Sequence, residues 1–184
     1  MRISPLKLSF FLLIAALILW VAGSFTGVGV CSVLYKTEEV NGDSLAHFIA
    51  HGSRVRIAYG YYECGELRRD DVVIYRDAGN ENPLIKIVKG LSGDSFMLAH
   101  SEGGAKIFIN GLALLTTTGE PYRISADAIQ LLSLYERDYH GYIPAGAAFI
   151  LGNIASGSRD STQFGFVGRD NLVGKVVEVM SNKD

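Results

Sequence analysis

Three polar stretches of the sequence contain side chains capable of nucleophilic or acid–base chemistry. They are VNGDSL at 40–45, LIKIVKGLSGD at 84–94 and GNIASGSRDSTQFGFV at 152–167. Taken singly, a serine in an Asn-Gly-Asp-Ser run is typical of a turn, a lysine within a strand-like run is typical of a sheet edge, and Asp160 is typical of a solvated loop. The three stretches indicate chemistry only if the fold brings them together.

The four histidines allow a different chemistry. His47 lies three residues after Ser44, and His51, His100 and His140 are the others. A serine and a histidine can form a Ser-His-Asp triad when an acidic residue orients the imidazole. Nothing in the sequence fixes such a partner for His47, so a surface position is the simpler interpretation.

The cysteines indicate neither a metal site nor a thiol enzyme. Cys31 and Cys64 are the only two, and the sequence contains no CxxC motif or His/Cys cluster. We therefore expect no metal and no cofactor. In an exported domain the two cysteines could pair, and two separate thiols fit the sequence equally well.

Composition excludes two broad classes of protein. The 184 residues carry 17 Lys and Arg against 19 Asp and Glu, a formal net charge of −2. A nucleic-acid partner is not expected, because no excess of basic residues is present. The 48% hydrophobic content also excludes a disordered chain.

The hydrophobic residues are concentrated near the amino terminus. Residues 10–23 (FFLLIAALILWVAG) are almost wholly apolar, and no charged residue occurs between Lys7 and Lys36. About 20 such residues span a bilayer. We predict a cytoplasmic segment at 1–7, a transmembrane anchor at 8–30 and an exported domain at 36–184, because Arg2 and Lys7 precede the apolar segment.

This assignment describes a single-pass membrane protein whose main domain is exported, with the lipid bilayer as a partner. A cleavable signal peptide is the main alternative, since small residues follow the apolar core at 22–24. A lipoprotein signal ending at Cys31 fits less well, because Val30 is bulky where processing requires a small residue.

The exported part is predicted to be mainly β. Short runs of β-branched and alternating residues occur at 54–59, 71–75, 84–88, 148–151 and 173–179. Asn110-Gly111 joins 106–110 to 112–115 as a probable two-residue hairpin turn. Ser125 begins a helical pattern through 137, so we expect a small helical insertion at about 120–140 in a barrel-like or two-sheet domain.

In this order, the three polar stretches resemble those of the type I signal peptidases, membrane-anchored serine proteases of peptidase family S26. Within that family the chain is most similar to the conjugative-transfer peptidases of the TraF group, which mature pilin precursors. The similarity runs from the anchor to the last strand and includes RRDDVVIYR at 68–76. It implies a signal-peptidase-like β domain and serine endopeptidase activity.

The resemblance also implies roles for individual residues. Ser44 matches the nucleophile, and Lys86, four residues before a Gly-x-x-Gly-Asp turn, matches the general base. Ser158 and Asp160 match the residues that support the dyad. A lysine can act as a base only if its pKa falls, and aliphatic neighbours in the 84–88 run would provide the necessary burial.

The sequence departs from the family pattern at four points. Gly42 stands where a hydroxyl residue often helps bind the oxyanion, and the proline expected shortly after the serine is missing. Ser92 replaces the proline of the turn, and Thr162 replaces the arginine expected after Asp160-Ser161. These changes bear on which substrate is cut and how efficiently it is cut, more than on the assignment of Ser44 and Lys86 as the dyad.

The expected partner is an exported precursor protein, bound as an extended strand beside Ser44 and Lys86. Apolar walls formed by Val40, Leu45 and Ile85 would favour small residues before the cleaved bond. The precursor would be a pilin-type protein of a conjugation system, or alternatively any secretory preprotein. A membrane-tethered assembly subunit without catalysis is the alternative outside the enzyme class.

Overall fold

A computed structural model describes residues 31–76, 82–101 and 104–180. The predicted cytoplasmic segment and anchor at 1–30 lie outside the described residues. Among the helices within the described ranges, none combines the length and the apolar character needed to cross a bilayer.

The described part of the chain is dominated by ten strands. They are β1 (Leu34–Glu39), β2 (Arg54–Tyr59), β3 (Val72–Tyr75), β4 (Leu84–Leu91), β5 (Phe96–Ser101), β6 (Gly104–Ile109), β7 (Leu112–Ala113), β8 (Ala147–Leu151), β9 (Val167–Gly168) and β10 (Leu172–Met180). Seven form one sheet in the order β1-β2-β10-β3-β4-β8-β9, and β5-β6-β7 form a second. The mainly β prediction is confirmed, in its two-sheet form.

The predicted hairpin lies in the small sheet. β6 pairs with β7 through Ile109 and Leu112, and the turn residues Asn110 and Gly111 have φ values of 52° and 77°. Asparagine and glycine adopt such positive φ angles more readily than other residues. The observed β6 at 104–109 begins two residues before the predicted strand and ends one residue before it, and β7 at 112–113 ends two residues before the predicted 112–115.

The helices are few and mostly short. They are α1 (Tyr61–Cys64), α2 (Ala126–Asp138) and α3 (Ser161–Phe164), with a 3-10 turn at Arg169–Asn171. Ser125 caps α2, as its side chain accepts a hydrogen bond from the Ala128 N–H. The predicted helical insertion is therefore observed at 126–138.

The core explains why the strand at 84–91 is apolar on both sides. Ile85 and Ile87 pack in one cluster with residues of β2 and β3, whereas Leu84 and Val88 pack in another with residues of β8 and β10. Successive side chains of a strand point to opposite faces, so both faces of the large sheet are covered at β4. A third cluster fills the space between the small sheet, α2 and β8.

Three strands were not predicted, namely β1, β5 and β9. All six residues of β1 are exposed at the edge of the large sheet, so no burial pattern marks it in the sequence. Cys31, just before β1, forms a disulfide with Cys64 at the end of α1. The disulfide decides between the paired and separate thiols that the sequence left open.

Candidate active site

Ser44 and Lys86 lie side by side although 42 residues separate them. The Lys86 Nζ is 2.9 Å from the Ser44 Oγ, and it also donates to the Ile85 carbonyl at 2.8 Å. The Ser44 Oγ is 3.5 Å from the same carbonyl. Each group of the predicted dyad is thus within hydrogen-bond distance of the other.

The end of one strand creates the space for this pair. β8 pairs with β4 from Leu91↔Ala148 to Ile87↔Leu151 and ends there. Continuing the register by one residue places Gly152 opposite Lys86. At this point the chain leaves the sheet, and the neighbouring Asn153 N–H donates to the Ser44 carbonyl at 2.6 Å. The turn that carries Ser44 therefore occupies the position where β8 stops.

Burial gives Lys86 the property that a base requires. Only 2% of the residue is exposed, and this desolvation lowers the pKa of its amine from 10.5 to about 8. The negative charge of Asp160 acts in the opposite direction and raises the pKa. Desolvation is the larger effect because it disfavours the ammonium form directly. An appreciable fraction of the amine is therefore neutral near pH 8.

Asp160 and Ser158 lie behind the pair rather than on it. The fully buried carboxylate of Asp160 accepts from the Ser158 hydroxyl at 2.6 Å and from the Gly152 N–H at 3.0 Å. Its other oxygen accepts from the Thr162 N–H and hydroxyl. Among the described contacts neither Ser158 nor Asp160 bonds to Lys86, so Asp160 influences the amine through its charge.

Sequence reasoning missed two residues that hold the turn of Ser44, Gly152 and Asn153. The Asn153 side chain donates to the Ala46 carbonyl and the Thr117 hydroxyl, both at 2.8 Å. A Cβ at Gly152 would lie 2.6 Å from the Ser44 carbonyl oxygen and would also overlap the Ser158 side chain. Only a glycine permits this approach. The Gly-Asn pair just after an apolar strand was the available signal, but its partner could not be read from the sequence.

The backbone of Ser44 offers one hydrogen-bond donor beside its hydroxyl. The N–H of Gly42, a residue with a φ of +97° that side chains rarely allow, already donates to the Nδ1 of His51 at 3.0 Å. The Ser44 N–H donates to no described residue. It is therefore the backbone donor that remains available beside Ser44, and an oxyanion hole is built from such groups.

None of the described hydrogen bonds joins a histidine to Ser44. His47 is exposed and adopts a φ of 66° in the turn after the nucleophile. His51 bonds to the Gly42 backbone. The arrangement that surrounds Ser44 is therefore that of a lysine pair, and a Ser-His-Asp triad is not formed.

A cleft of about 550 Å³ opens beside Ser44 and Lys86. Six of its described lining residues are Val, Ile or Leu, among them Val40 and Ile85, and Glu38, Glu39, Asn41 and Asn82 also line it. Leu45 was expected to be a third wall, but it is completely buried in the core and does not line the cleft. The prediction for Leu45 is wrong because the turn that exposes Ser44 directs the next side chain inward.

One class of enzyme combines a serine hydroxyl, a buried amine at hydrogen-bond distance and an adjoining cleft. A weak nucleophile is activated by an adjacent base, with a backbone N–H available for the developing charge. This is the organisation of a serine endopeptidase that uses lysine in place of histidine.

Comparison with known proteins agrees with that class. The family model described as "Signal peptidase, peptidase S26" matches residues 7–181. The chain therefore belongs to the peptidase S26 family of signal peptidases, and it is a serine endopeptidase.

Individual relatives carry the same name. A signal peptidase I of Bacillus caldolyticus is 27% identical over 162 residues, covering 81% of this chain and 84% of the relative. A signal peptidase IB of Staphylococcus aureus is 26% identical over 174 residues, covering 89% and 82%. A crystal structure of a signal peptidase I from Enterococcus faecalis is similar at 21% identity and a TM-score of 0.37, covering 63% of this chain and 97% of that one.

Proposed function

We propose that this protein cuts exported precursor proteins after their signal peptides, with Ser44 as the nucleophile and Lys86 as the general base. The observation that carries this proposal is the 2.9 Å contact between the Ser44 hydroxyl and a lysine amine that is 2% exposed. An amine in that position can be neutral at a physiological pH and can accept the serine proton.

The reaction then follows in two balanced steps. The Ser44 Oγ attacks the carbonyl carbon of the precursor while Lys86 takes its proton, and the Ser44 N–H faces the oxygen that becomes negative. The carbon–nitrogen bond breaks, Lys86 gives the proton to the leaving amine, and an ester remains on Ser44. A water molecule then attacks the ester, with Lys86 as base, and the serine proton is restored.

The sheet offers the precursor a place to bind. β3 pairs with β4 opposite Leu84, Ile85 and Lys86, but β8 ends before it reaches these three residues. No strand of the described part pairs with their second side. An extended peptide can add to such a free edge by backbone hydrogen bonds, which would bring the bond to be cut alongside Ser44.

The cleft beside that edge favours small apolar residues before the cut. Val40, Val55, Ile57, Ile74 and Ile85 lie along it. Aliphatic walls discriminate by size, at about 1–3 kcal/mol for one methylene too many or too few. We therefore expect small side chains in the residues that immediately precede the cleaved bond.

We assign the site to the outer face of a bacterial inner membrane, with residues 8–30 as a single-pass anchor. Charge supports this orientation, because Arg2 and Lys7 precede the apolar segment and Glu38 is the first acidic residue. The Cys31–Cys64 disulfide is consistent with an oxidising compartment for the β domain.

For the precursor, we favour a dedicated pilin-type protein of a conjugative transfer system, as in the TraF group. The departures near the dyad support a specialised substrate: Gly42 lacks the hydroxyl of the general pattern, and the Thr162 hydroxyl, where the family has arginine, bonds to Asp160 at 2.7 Å. The names of the curated relatives favour the second candidate, a general signal peptidase acting on many secretory preproteins.

The test is intact-mass analysis of a pilin precursor co-expressed with the full-length protein. Ser44→Ala and Lys86→Met should leave the precursor uncut. Ser101→Ala and Lys106→Met are matched controls, because both residues are exposed on strands of the small sheet, and they should cut like the wild type.

Each outcome assigns a function. A pilin precursor shortened only by the wild type and the controls supports the dedicated enzyme, and a product lighter by one further water shows capture by an amine instead of hydrolysis. Accumulation of many secretory preproteins in the two dyad variants supports the general enzyme. Equal processing by all variants would exclude the dyad, and full biological function without any processing would indicate an assembly subunit.

A further inference from the structure

A second groove adjoins the turn that carries Ser44, because His47 lines it. It has a volume of about 550 Å³ and is lined by residues of three segments, the turn at 47, the loop at 116–123 and the loop at 153–156. We call it the polar groove, because Thr116, Thr118, Glu120, Arg123 and Asn153 line it.

The polar groove is joined directly to the nucleophile. Asn153, one of its lining residues, donates through its backbone N–H to the Ser44 carbonyl at 2.6 Å. The Asn153 side chain bonds to the Ala46 carbonyl on one side and to Thr117 on the other. These contacts fix the loop at 116–123 against the turn of Ser44, so a groove and a reactive hydroxyl share one rigid support.

Its lining differs from that of the cleft beside Lys86 in the number of branched aliphatic side chains. Six described residues that line the cleft are Val, Ile or Leu, whereas the polar groove has one, Ile154, beside hydroxyl, amide and charged side chains. Glu120 and Arg123 are exposed in the same groove, and neither side chain forms an ion pair with a described residue. Both charges are therefore available to a ligand.

We propose that the polar groove binds the residues that follow the cleaved bond, and that Arg123 and Glu120 select the charge of those residues. This inference rests on the proposed function, because it takes the aliphatic cleft as the place of the residues before the bond. His47 and Asn153 join the groove to the turn of Ser44, so a peptide that extends beyond Ser44 can enter it. The groove offers such a segment hydrogen bonds and charges of both signs.

Arg123 would favour an acidic residue and Glu120 a basic one, each at its own position after the bond. Both pairs are exposed to solvent, so each is worth only a few-fold in rate and weakens as salt increases. Reversal of one charge replaces attraction by repulsion. The preference for aspartate over lysine at the matching position should then change by about tenfold at low salt.

The experiment measures kcat/KM for peptides that carry aspartate or lysine at each of the first four positions after the cut. The enzymes are full-length wild type, Arg123→Glu, Glu120→Lys and a control, Arg137→Glu. Arg137 is an exposed arginine of α2 that does not line the groove, so this control changes the net charge by the same amount as Arg123→Glu.

We expect Arg123→Glu to invert the aspartate preference at one or two positions and Glu120→Lys to do the opposite at another. Both effects should shrink in 0.5 M salt, and Arg137→Glu should resemble the wild type. Equal effects of all three variants, or effects that do not depend on the peptide position, would overturn the assignment.

A binding measurement keeps this result separate from the proposed function. Fluorescence anisotropy with a labelled peptide of the mature side reports binding to Ser44→Ala without cleavage. Charge-dependent binding that Arg123→Glu reverses supports the groove even if the wild type cuts no pilin precursor. If neither Arg123→Glu nor Glu120→Lys changes the affinity for the peptide, the assignment of the polar groove is refuted, even if cleavage at Ser44 is established.

Discussion

The pKa of Lys86 leads to a prediction that links catalysis and stability. Burial lowers this pKa from 10.5 to about 8, so about one tenth of the amine is neutral at pH 7. An unperturbed lysine would be neutral in about one molecule in three thousand. We expect kcat/KM of the full-length enzyme to rise about tenfold per pH unit below pH 8 and to level off above it.

The same perturbation changes the free energy of unfolding. Below pH 8 the lysine is protonated in both states, and the folded state bears the full cost of burying the charge. Between pH 8 and 10.5 only the unfolded state retains the proton, so stability rises with pH. Above 10.5 both states are neutral and the cost is gone. At about 1.4 kcal/mol per pH unit, the cost is about 3 kcal/mol.

Lys86→Met removes this titration while it keeps most of the side-chain volume. The difference in unfolding free energy, variant minus wild type, should therefore fall by about 3 kcal/mol from pH 7 to pH 10.5. Lost hydrogen bonds to Ser44 and Ile85 affect the variant at every pH and cancel in this comparison. Urea denaturation at both pH values, with Lys106→Met as the control lysine, gives the number.

Two results would refute the reasoning. One is a difference between Lys86→Met and wild type that does not change with pH, since a buried lysine with a lowered pKa must contribute to it. The other is an acid limb of the pH–rate profile with its midpoint at the usual lysine pKa near 10.5, because the amine would then be solvated in the working enzyme.

Three further predictions concern the surroundings of the dyad. Asp160→Asn removes a charge that raises the Lys86 pKa, so the acid limb of the pH–rate profile should move to lower pH. The lost hydrogen bonds should also lower the unfolding free energy by about 1–3 kcal/mol. A folded variant whose acid limb has the wild-type midpoint would contradict this. Gly152→Ala should reduce kcat/KM at least about tenfold, because its Cβ would displace the turn of Ser44. Gly168→Ala is the control and should remain active, since the nearest atom to its added Cβ lies at 3.7 Å. Equal activities of the two variants would show that a Cβ at Gly152 does not disturb Ser44. The Cys31–Cys64 disulfide closes a loop with a sequence separation of 33. Its reduction should lower the free energy of unfolding by about 3–4 kcal/mol in denaturation experiments. An unchanged denaturation midpoint would show that the disulfide does not stabilise the pairing of β1 with the sheet.

The strand that carries Lys86 could be predicted because a local pattern decides it. The run at 84–88 is apolar on both faces, which marks a strand covered on both sides, and the structure extends it to Leu91. The edge strand β1 has no such pattern, because all of its residues are exposed. A buried strand has a hydrophobic pattern that can be recognised in the sequence. An exposed edge strand, which pairs with one neighbouring strand, has no such pattern.

The sequence by itself determined the family resemblance, the mainly β class and the order of the three polar stretches, since these depend on residue types and local spacing. Only the tertiary structure decided which side chains meet. It buried Leu45 beneath the turn, paired Cys31 with Cys64, directed Asp160 to Gly152 and Ser158, and used Asn153 to hold the nucleophile's carbonyl. The Cys31–Cys64 and Asn153–Ser44 contacts join residues far apart in the chain. The second of them forms where β8 ends beside Lys86.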